Sequence, residues 1–392
     1  MWTRSAASQT TPRAFDHPIY VTRPLLPDFR TYTEALSGIW ERHWLTNKGR
    51  VHDALEQALR EHLRVSHLSL VSSGTAALML AYRALGIAGE VITTPLTSPA
   101  TVNSVTWCGL TPVFADVDPE RLTLDPAAVE RAITPRTSAI VGVHLYGMPC
   151  QVDSLRTLAE RHRLRLIYDG AHAFGTQIDG EPVSKFGDAT ILSFHATKVF
   201  NTAEGGAVIT EDAEIKRRVE LLRTLGIQDE VTVALPGINA RMNELEAALG
   251  LANLDIVERE RLARAEIADI YLTRLDGIEG LRPFKLPARV RNSHNYFVVR
   301  IVEGASRLSR DDLYERLKSF NVFARRYFYP LCSNFSFYRD LPSSSPVNVP
   351  VANRAANEVL CLPLYGGLGH DAAHQICDIL EHLLGKPDRP QP

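Results

Sequence analysis

The sequence predicts a doubly wound α/β domain with a mostly parallel, seven-stranded sheet, followed by a smaller α+β unit. Three observations lead there. Short apolar runs recur at 68–71, 90–93, 111–116, 139–145, 164–169, 189–194 and 206–210. Several are separated by helix-length segments, among them 76–85, 125–132 and 152–161, the alternation of parallel strands with helices on both faces of a sheet. Beyond them the pattern changes. Residues 242–275 read as one long connecting helix rich in Ala, Leu, Glu and Arg, and a strand at 295–301 with helices at 311–320 and 372–384 form the second unit.

The remaining elements fall into place around this frame. Residues 1–16 are polar and read as loose, and helical patterns at 32–44 and 51–63 are separated by Leu45-Thr46-Asn47-Lys48-Gly49. Residues 335–350, with Leu-Pro-Ser-Ser-Ser-Pro, read as a surface loop, and the tail 385–392 as disordered. The expected organisation is an N-terminal segment and helix over 1–50, a large domain over 51–255 and a small C-terminal domain over 256–392. A chain of 392 residues with 45% hydrophobic content can bury one large core and one small one.

Composition excludes several classes. Forty-three basic and 45 acidic residues give a formal charge of −2, with no basic block for nucleic acid. Cys108, Cys150, Cys332, Cys361 and Cys377 lie far apart without zinc spacing, and read as reduced, buried thiols of a cytoplasmic protein with no bound metal. No apolar window approaches the length of a membrane span, and the N-terminus lacks the apolar stretch of an export signal. A nicotinamide enzyme would need a G-x-G-x-x-G after a strand, and none is found.

Chemistry is expected around Lys198, in the run Ser-Phe-His-Ala-Thr-Lys-Val-Phe-Asn-Thr-Ala-Glu-Gly-Gly (193–206) between two apolar strands. An ammonium placed there must find an anion or lose its proton, and a neutral lysine amine is a nucleophile toward carbonyls. Asp169 closes the strand before Gly170-Ala171-His172, at the strand end where open α/β sheets bind ligands. It reads either as a helix cap or as a carboxylate that keeps a pyridinium nitrogen protonated. Ser72-Ser73-Gly74-Thr75 enters a helix and offers N–H groups and hydroxyls to a phosphate, or caps the helix. Ser193 could add a hydroxyl.

Taken in order, Ser-Gly-Thr-Ala-Ala-Leu (73–78), Phe114-Ala115-Asp116-Val117-Asp118, His144-Leu145-Tyr146-Gly147, Asp169-Gly170-Ala171-His172, Ser193 with Lys198, Glu204-Gly205-Gly206 and Asn239-Ala240-Arg241-Met242 resemble the DegT/DnrJ/StrS-type nucleotide-sugar aminotransferases. The resemblance implies the aspartate-aminotransferase fold, fold type I of the pyridoxal 5'-phosphate enzymes. It makes Lys198 the lysine that attaches the cofactor and shuttles the proton, and Asp169 the partner of the pyridine nitrogen. It places His172 beside the ring, and Gly74, Thr75 and Ser193 on the phosphate. Asn239 would reach the phosphate of a neighbouring subunit, which implies a homodimer with shared sites, and Arg241 there would either meet the anionic substrate or form a structural ion pair. Apart from the resemblance, Tyr327, with Arg325, Arg326 and Tyr329 before Pro330, reads either as a contact to the substrate's diphosphate or as part of a surface ion-pair cluster. In one place the chain departs from the pattern: within Pro95-Leu96-Thr97-Ser98-Pro99-Ala100-Thr101 it has Ser98 where the family often has an aromatic that stacks on the ring.

The presence of Lys198 separates transaminases from the family's dehydratases, which carry histidine there. Ser-Phe-His-Ala-Thr-Lys-Val-Phe resembles the members that aminate carbon 4 of a nucleotide-linked 4-keto-6-deoxyhexose. The implied reaction moves an amino group from L-glutamate to a dTDP-4-keto-6-deoxy-D-glucose, in deoxyaminosugar biosynthesis for an antibiotic, another natural product or a surface glycan. Amination of a 3-keto sugar or a keto-cyclitol, and a noncatalytic regulator on the same fold, are the alternatives.

Overall fold

The computed structural model of the protein describes residues 11–385. The expectations for residues 1–10 and 386–392 lie outside the described residues. All seven expected strands form, as β1 (His67–Val71), β2 (Glu90–Thr93), β3 (Thr111–Phe114), β4 (Thr137–Val143), β5 (Arg165–Asp169), β6 (Ala189–Ser193) and β7 (Gly206–Thr210). They make one sheet in the order β1-β7-β6-β5-β4-β2-β3, parallel throughout except for β7, which runs against both of its neighbours.

Helices before and within this region are α1 (Phe29–Arg42), α2 (Arg50–Leu63), α3 (Gly74–Ala84), α4 (Pro99–Trp107), α5 (Pro126–Ala132), α6 (Val152–His162) and α7 (Ala213–Leu222). Strand side chains alternate between two apolar layers, as a pleated sheet covered on both faces requires. Val91, Ala139, Val141, Ile167 and Val208 pack with α3, α4 and α7. Ile92, Ile140, Leu166 and Tyr168 pack with α5 and α6, while Leu68, Leu70, Leu192 and Ile209 pack with α2. Both layers hold the strand ends fixed.

Residues 242–275 are not one helix but two, α8 (Glu244–Leu254) and α9 (Val257–Leu275). The chain changes packing partners at Asp255-Ile256: α8 lies on α1 and α2, and α9 on α12 (His370–Leu384). Apolar spacing is helical on both sides of the break, so periodicity could not show it. Glu244 at the start of α8 is fully buried, and its carboxylate accepts from the N–H groups of Val51 and His52 at 3.1 and 2.7 Å. It thereby caps α2, whose own N-cap is the side-chain-free Gly49.

The C-terminal part contains a three-stranded antiparallel sheet, β8 (Leu281–Pro283), β9 (Phe297–Ile301) and β10 (Val359–Leu362), with α9, α10 (Arg310–Lys318) and α12 on one apolar layer. Residues 335–350 are more than a surface loop. They hold two short 3-10 turns, Pro342–Ser344 and Pro346–Asn348, and Tyr338 is buried with its hydroxyl 2.8 Å from Thr106 Oγ1 on α4. The next helix, α11 (Pro350–Glu358), is capped by Asp116, whose carboxylate accepts from Val351 and Ala352 N–H at 2.9 and 2.8 Å. The apolar anchors of this stretch are spaced too irregularly to signal burial in the sequence.

Candidate active site

A cavity of about 620 Å³ opens at the carboxyl ends of β5 and β6 and is lined by Gly74, Thr75, Asp169, His172, Ser193, Lys198 and Tyr327, together with Ser98, Thr197, Tyr296 and Phe328. Seven of the nine residues expected at the site thus meet around one space. Asn239 and Arg241 do not line it. They lie outside, where Arg241 Nε donates to Asn239 Oδ1 at 3.2 Å and its guanidinium also bonds Asn47.

Asp169 is 4% exposed. Burial raises its carboxyl above the usual range, and two donors oppose this: Thr101 Oγ1 at 2.7 Å from Oδ2 and the Ala171 N–H at 3.0 Å from Oδ1. Thr101 is in turn 2.8 Å from the hydroxyl of Thr97. Removing the Thr101 hydroxyl takes away about 1.5–3 kcal/mol of hydrogen bonding to a charged group and so pushes the carboxyl further up. Since burial already pushes this carboxyl up, a Thr101→Val protein is expected to lose activity on acidification at a higher pH than wild type. An unmoved acid limb in the pH profile of kcat would contradict this role for Thr101.

Lys198 sits in the connection between β6 and β7, with its main-chain N–H donating to the His195 carbonyl at 2.9 Å. Its ammonium nitrogen is 5.9 Å from the centroid of the Tyr296 ring. Burial lowers the amine to about 8, against the opposing pull of the Asp169 carboxylate. A substantial neutral fraction therefore exists near pH 8, which an ordinary lysine reaches only near its unperturbed value of about 10.4.

His172 is held well below the usual imidazole range by burial, with the Lys198 charge acting in the same direction, so the ring is neutral. Its Nδ1 accepts from the Tyr146 N–H at 3.3 Å, which assigns the proton to Nε2. The ring lies parallel to Phe328, at 5.8 Å and 9°, and meets Tyr296 edge-on at 4.9 Å. Tyr146, noted in the sequence only as part of a motif, also donates its phenol O–H to the Tyr327 carbonyl and so ties the 327–328 segment to the large sheet.

At the other end, the N-terminus of α3 meets β6 and β7. Ser73 Oγ caps the helix by accepting from Ala76 N–H at 3.1 Å. Side chains here are excluded by contact: a Cβ on Gly74 would lie 2.9 Å from Ser193 Cβ, and one on Gly206 would lie 2.7 Å from the Ser73 carbonyl group. The open N–H groups and positive helix end suit an anion. Ser98 caps α4 through its hydroxyl, 3.4 Å from Ala100 N–H, so it contributes no ring to the cavity. Thr101, Tyr296 and Phe328 were not expected from the sequence as site residues. Only Thr101 had a signal, its place in the Pro95–Thr101 run.

Among the described residues no helix is long and apolar enough to cross a membrane, and no group of three or more His, Cys, Asp or Glu side chains could hold a metal ion.

Comparison with known proteins agrees with this geometry. The chain is 42% identical over 374 residues to the dTDP-4-amino-4,6-dideoxy-D-glucose transaminase of Escherichia coli, covering 95% of this chain and 99% of that one. It is 40% identical over 368 residues to the protein of the same name from Shigella dysenteriae, covering 94% of this chain and all of that one. The crystal structure of DesI in the presence of its TDP-sugar product superposes with a TM-score of 0.90 at 38% identity, covering 95% of this chain and 94% of DesI. Residues 30–381 match the sequence profile of a single family. The chain belongs to the DegT/DnrJ/EryC1/StrS aminotransferase family.

Proposed function

We propose that the protein is a pyridoxal 5'-phosphate-dependent aminotransferase that moves an amino group from L-glutamate to carbon 4 of dTDP-4-keto-6-deoxy-D-glucose, giving the 4-amino-4,6-dideoxy sugar. One observation carries the reading: a lysine amine lowered to about 8 faces the cavity that Asp169 and the α3 N-terminus also line. The substrate is supported by the names of the Escherichia coli and Shigella relatives and by DesI, a TDP-sugar enzyme. The Ser193–Phe200 run supports carbon 4.

The residues present fit the cofactor. Asp169, buried and already accepting from two donors, is a carboxylate suited to a pyridinium N–H, and the close packing of Gly74 on Ser193 and of Gly206 on Ser73, which no Cβ would permit, brings the α3 N-terminus with Thr75 up to Ser193 at the cavity wall, a setting suited to a phosphate. When bound, pyridoxal phosphate supplies an electron sink for the carbon that exchanges its proton. Lys198 would hold it through Nζ, and the neutral Nζ would serve as the base and acid that carries a proton from the donor carbon to the cofactor and, in the second half, from the cofactor to the sugar carbon. His172, neutral and held through Nδ1 by the Tyr146 N–H, would lie beside the cofactor on the cavity wall. Thr101 and the Ala171 N–H aim Asp169.

Asn239, exposed, and Arg241, half-buried, both outside the chain's own cavity, are proposed to complete the site of a second subunit in a homodimer, with Arg241 and Tyr327 on the substrate. The five cysteines are unpaired and buried, which supports a cytoplasmic, reducing setting. The product class places the enzyme in deoxyaminosugar biosynthesis for natural products, including antibiotics, or surface glycans.

The test supplies purified protein, pyridoxal phosphate and L-glutamate with the dTDP-4-keto sugar or its 3-keto isomer. An amino sugar from the 4-keto substrate is expected, and product from the 3-keto isomer alone would overturn the carbon-4 assignment. Within the same reading, Gly74→Ala is expected to weaken cofactor binding about tenfold, because the new methyl group overpacks Ser193. Titration of the apoprotein with pyridoxal phosphate measures it.

A further inference from the structure

Four consecutive residues between α9 and β9 touch both loops that carry the chemistry. Ser293 Oγ donates to the His172 carbonyl at 2.8 Å, and Gly147 stands so close that a Cβ there would lie 2.9 Å from the Ser293 Oγ. The His294 carbonyl accepts from Arg264 Nη1 at 3.5 Å, and this fully buried arginine is paired with Glu260 at 2.6 Å. Asn295 Oδ1 accepts from the Val199 N–H at 2.9 Å. Tyr296 turns its ring toward both Lys198 and His172.

The backbone makes this possible. His294 has φ of 52°, in the left-handed region that non-glycine residues occupy sparingly, and its N–H is held by Asn292 Oδ1 at 2.9 Å. Ser293 and Asn295, on either side of that twist, are 0% and 1% exposed, and each satisfies a main-chain group of a different functional loop. Val199 is the residue after Lys198. Phe194, Lys198 and Thr202 find acceptors within their own connection, at 2.9 Å each. The Val199 N–H instead depends on a side chain 96 residues away in sequence.

We infer that Asn295 is a positioning residue that aims the Lys198 amine through the Val199 N–H, and that Ser293 does the same for His172, so that one strained turn registers the two groups on a common frame. This rests on the reading of Lys198 as the amine that attaches the cofactor. Loss of the acceptor leaves Lys198 in place but poorly aimed. Misplacement of about 1 Å is enough to cost about a hundredfold in rate.

The experiment compares wild type with Asn295→Ala and Asn295→Asp as holoenzymes. The alanine variant is expected to show faster amide exchange in the 194–205 peptide, a kcat about ten- to a hundredfold lower and a KM for the keto sugar within roughly threefold of wild type. The aspartate variant keeps an acceptor in place and is expected to retain the slow exchange. Attachment of pyridoxal phosphate, trapped by borohydride and located by mass spectrometry, is followed in parallel from the apoproteins, and Asn295→Ala should attach it more slowly. If wild type traps no cofactor on Lys198, the underlying reading fails. If wild type does so and Asn295→Ala matches it in exchange, attachment rate and kcat, the positioning role fails. Should the alanine variant not fold, Ser293→Ala decides from the His172 side: a kcat lowered about fivefold at unchanged KM is expected, and a wild-type kcat would overturn the inference.

Discussion

A Lys198→Ala protein is expected to turn over at least about a thousandfold more slowly than wild type and to carry no cofactor that borohydride can fix to the chain. The expectation follows from where the amine sits. Among the residues lining the cavity, Lys198 is the one lysine, and burial has lowered its amine to about 8. Arginine at this position would keep a permanent charge and restore nothing. The change should leave the fold intact, because the Lys198 main-chain bond to His195 and the Val199 bond to Asn295 do not involve the amine. Mass spectrometry after reduction, with kcat and a thermal melt, measures all three points. A variant within tenfold of wild type would remove Lys198 from the chemistry.

Asp169→Asn is expected to lower kcat by about a hundred- to a thousandfold, since the buried negative charge that holds a ring N–H⁺ is replaced by a neutral amide. A second signature tells charge loss from misfolding. The Asp169 carboxylate raises the Lys198 amine against the lowering by burial, so the neutral amide should let that amine fall below about 8. In the apoprotein, reactivity of Lys198 toward an amine reagent should then rise with pH through a lower midpoint than in wild type. A midpoint that stays or moves up would show that the two groups do not interact.

Lys198, Asp169, Gly74 and Ser193 were legible in the sequence because each stands at a strand end or strand-to-helix junction, where local pattern and chemistry coincide. The strands were legible for the same reason. Their apolar runs are short, bounded and rich in Val and Ile. Tyr296, Thr101 and Asn295 were not. Thr101 is 68 residues from Asp169 and Asn295 is 96 from Val199, and no periodicity records that a hydroxyl or amide will arrive beside a carboxylate or an N–H from so far away. The break between α8 and α9 was hidden for a related reason, since a helix that changes neighbours keeps its spacing. Ser98 was visible as a departure from the family's pattern. Its service as a helix cap was not.

The reversed direction of β7 bears on the lysine in one further way. A parallel partner for β6 would have required a crossover that carries the chain to the far edge of the sheet and back. Because β7 is antiparallel, with Ser193 opposite Gly206, the chain leaves the sheet and re-enters it at the same point. Residues 194–205 are thus a short leash pinned at both ends. Phe194 and Gly205 close it with a 2.9 Å bond, and the Gly206 end is wedged against the start of α3. The middle of the segment is aimed by side chains such as Asn295, but its two ends cannot separate without tearing two paired strands apart. Its allowed length is therefore set by the sheet, so insertions in this stretch should be far less tolerated than in surface connections of equal length.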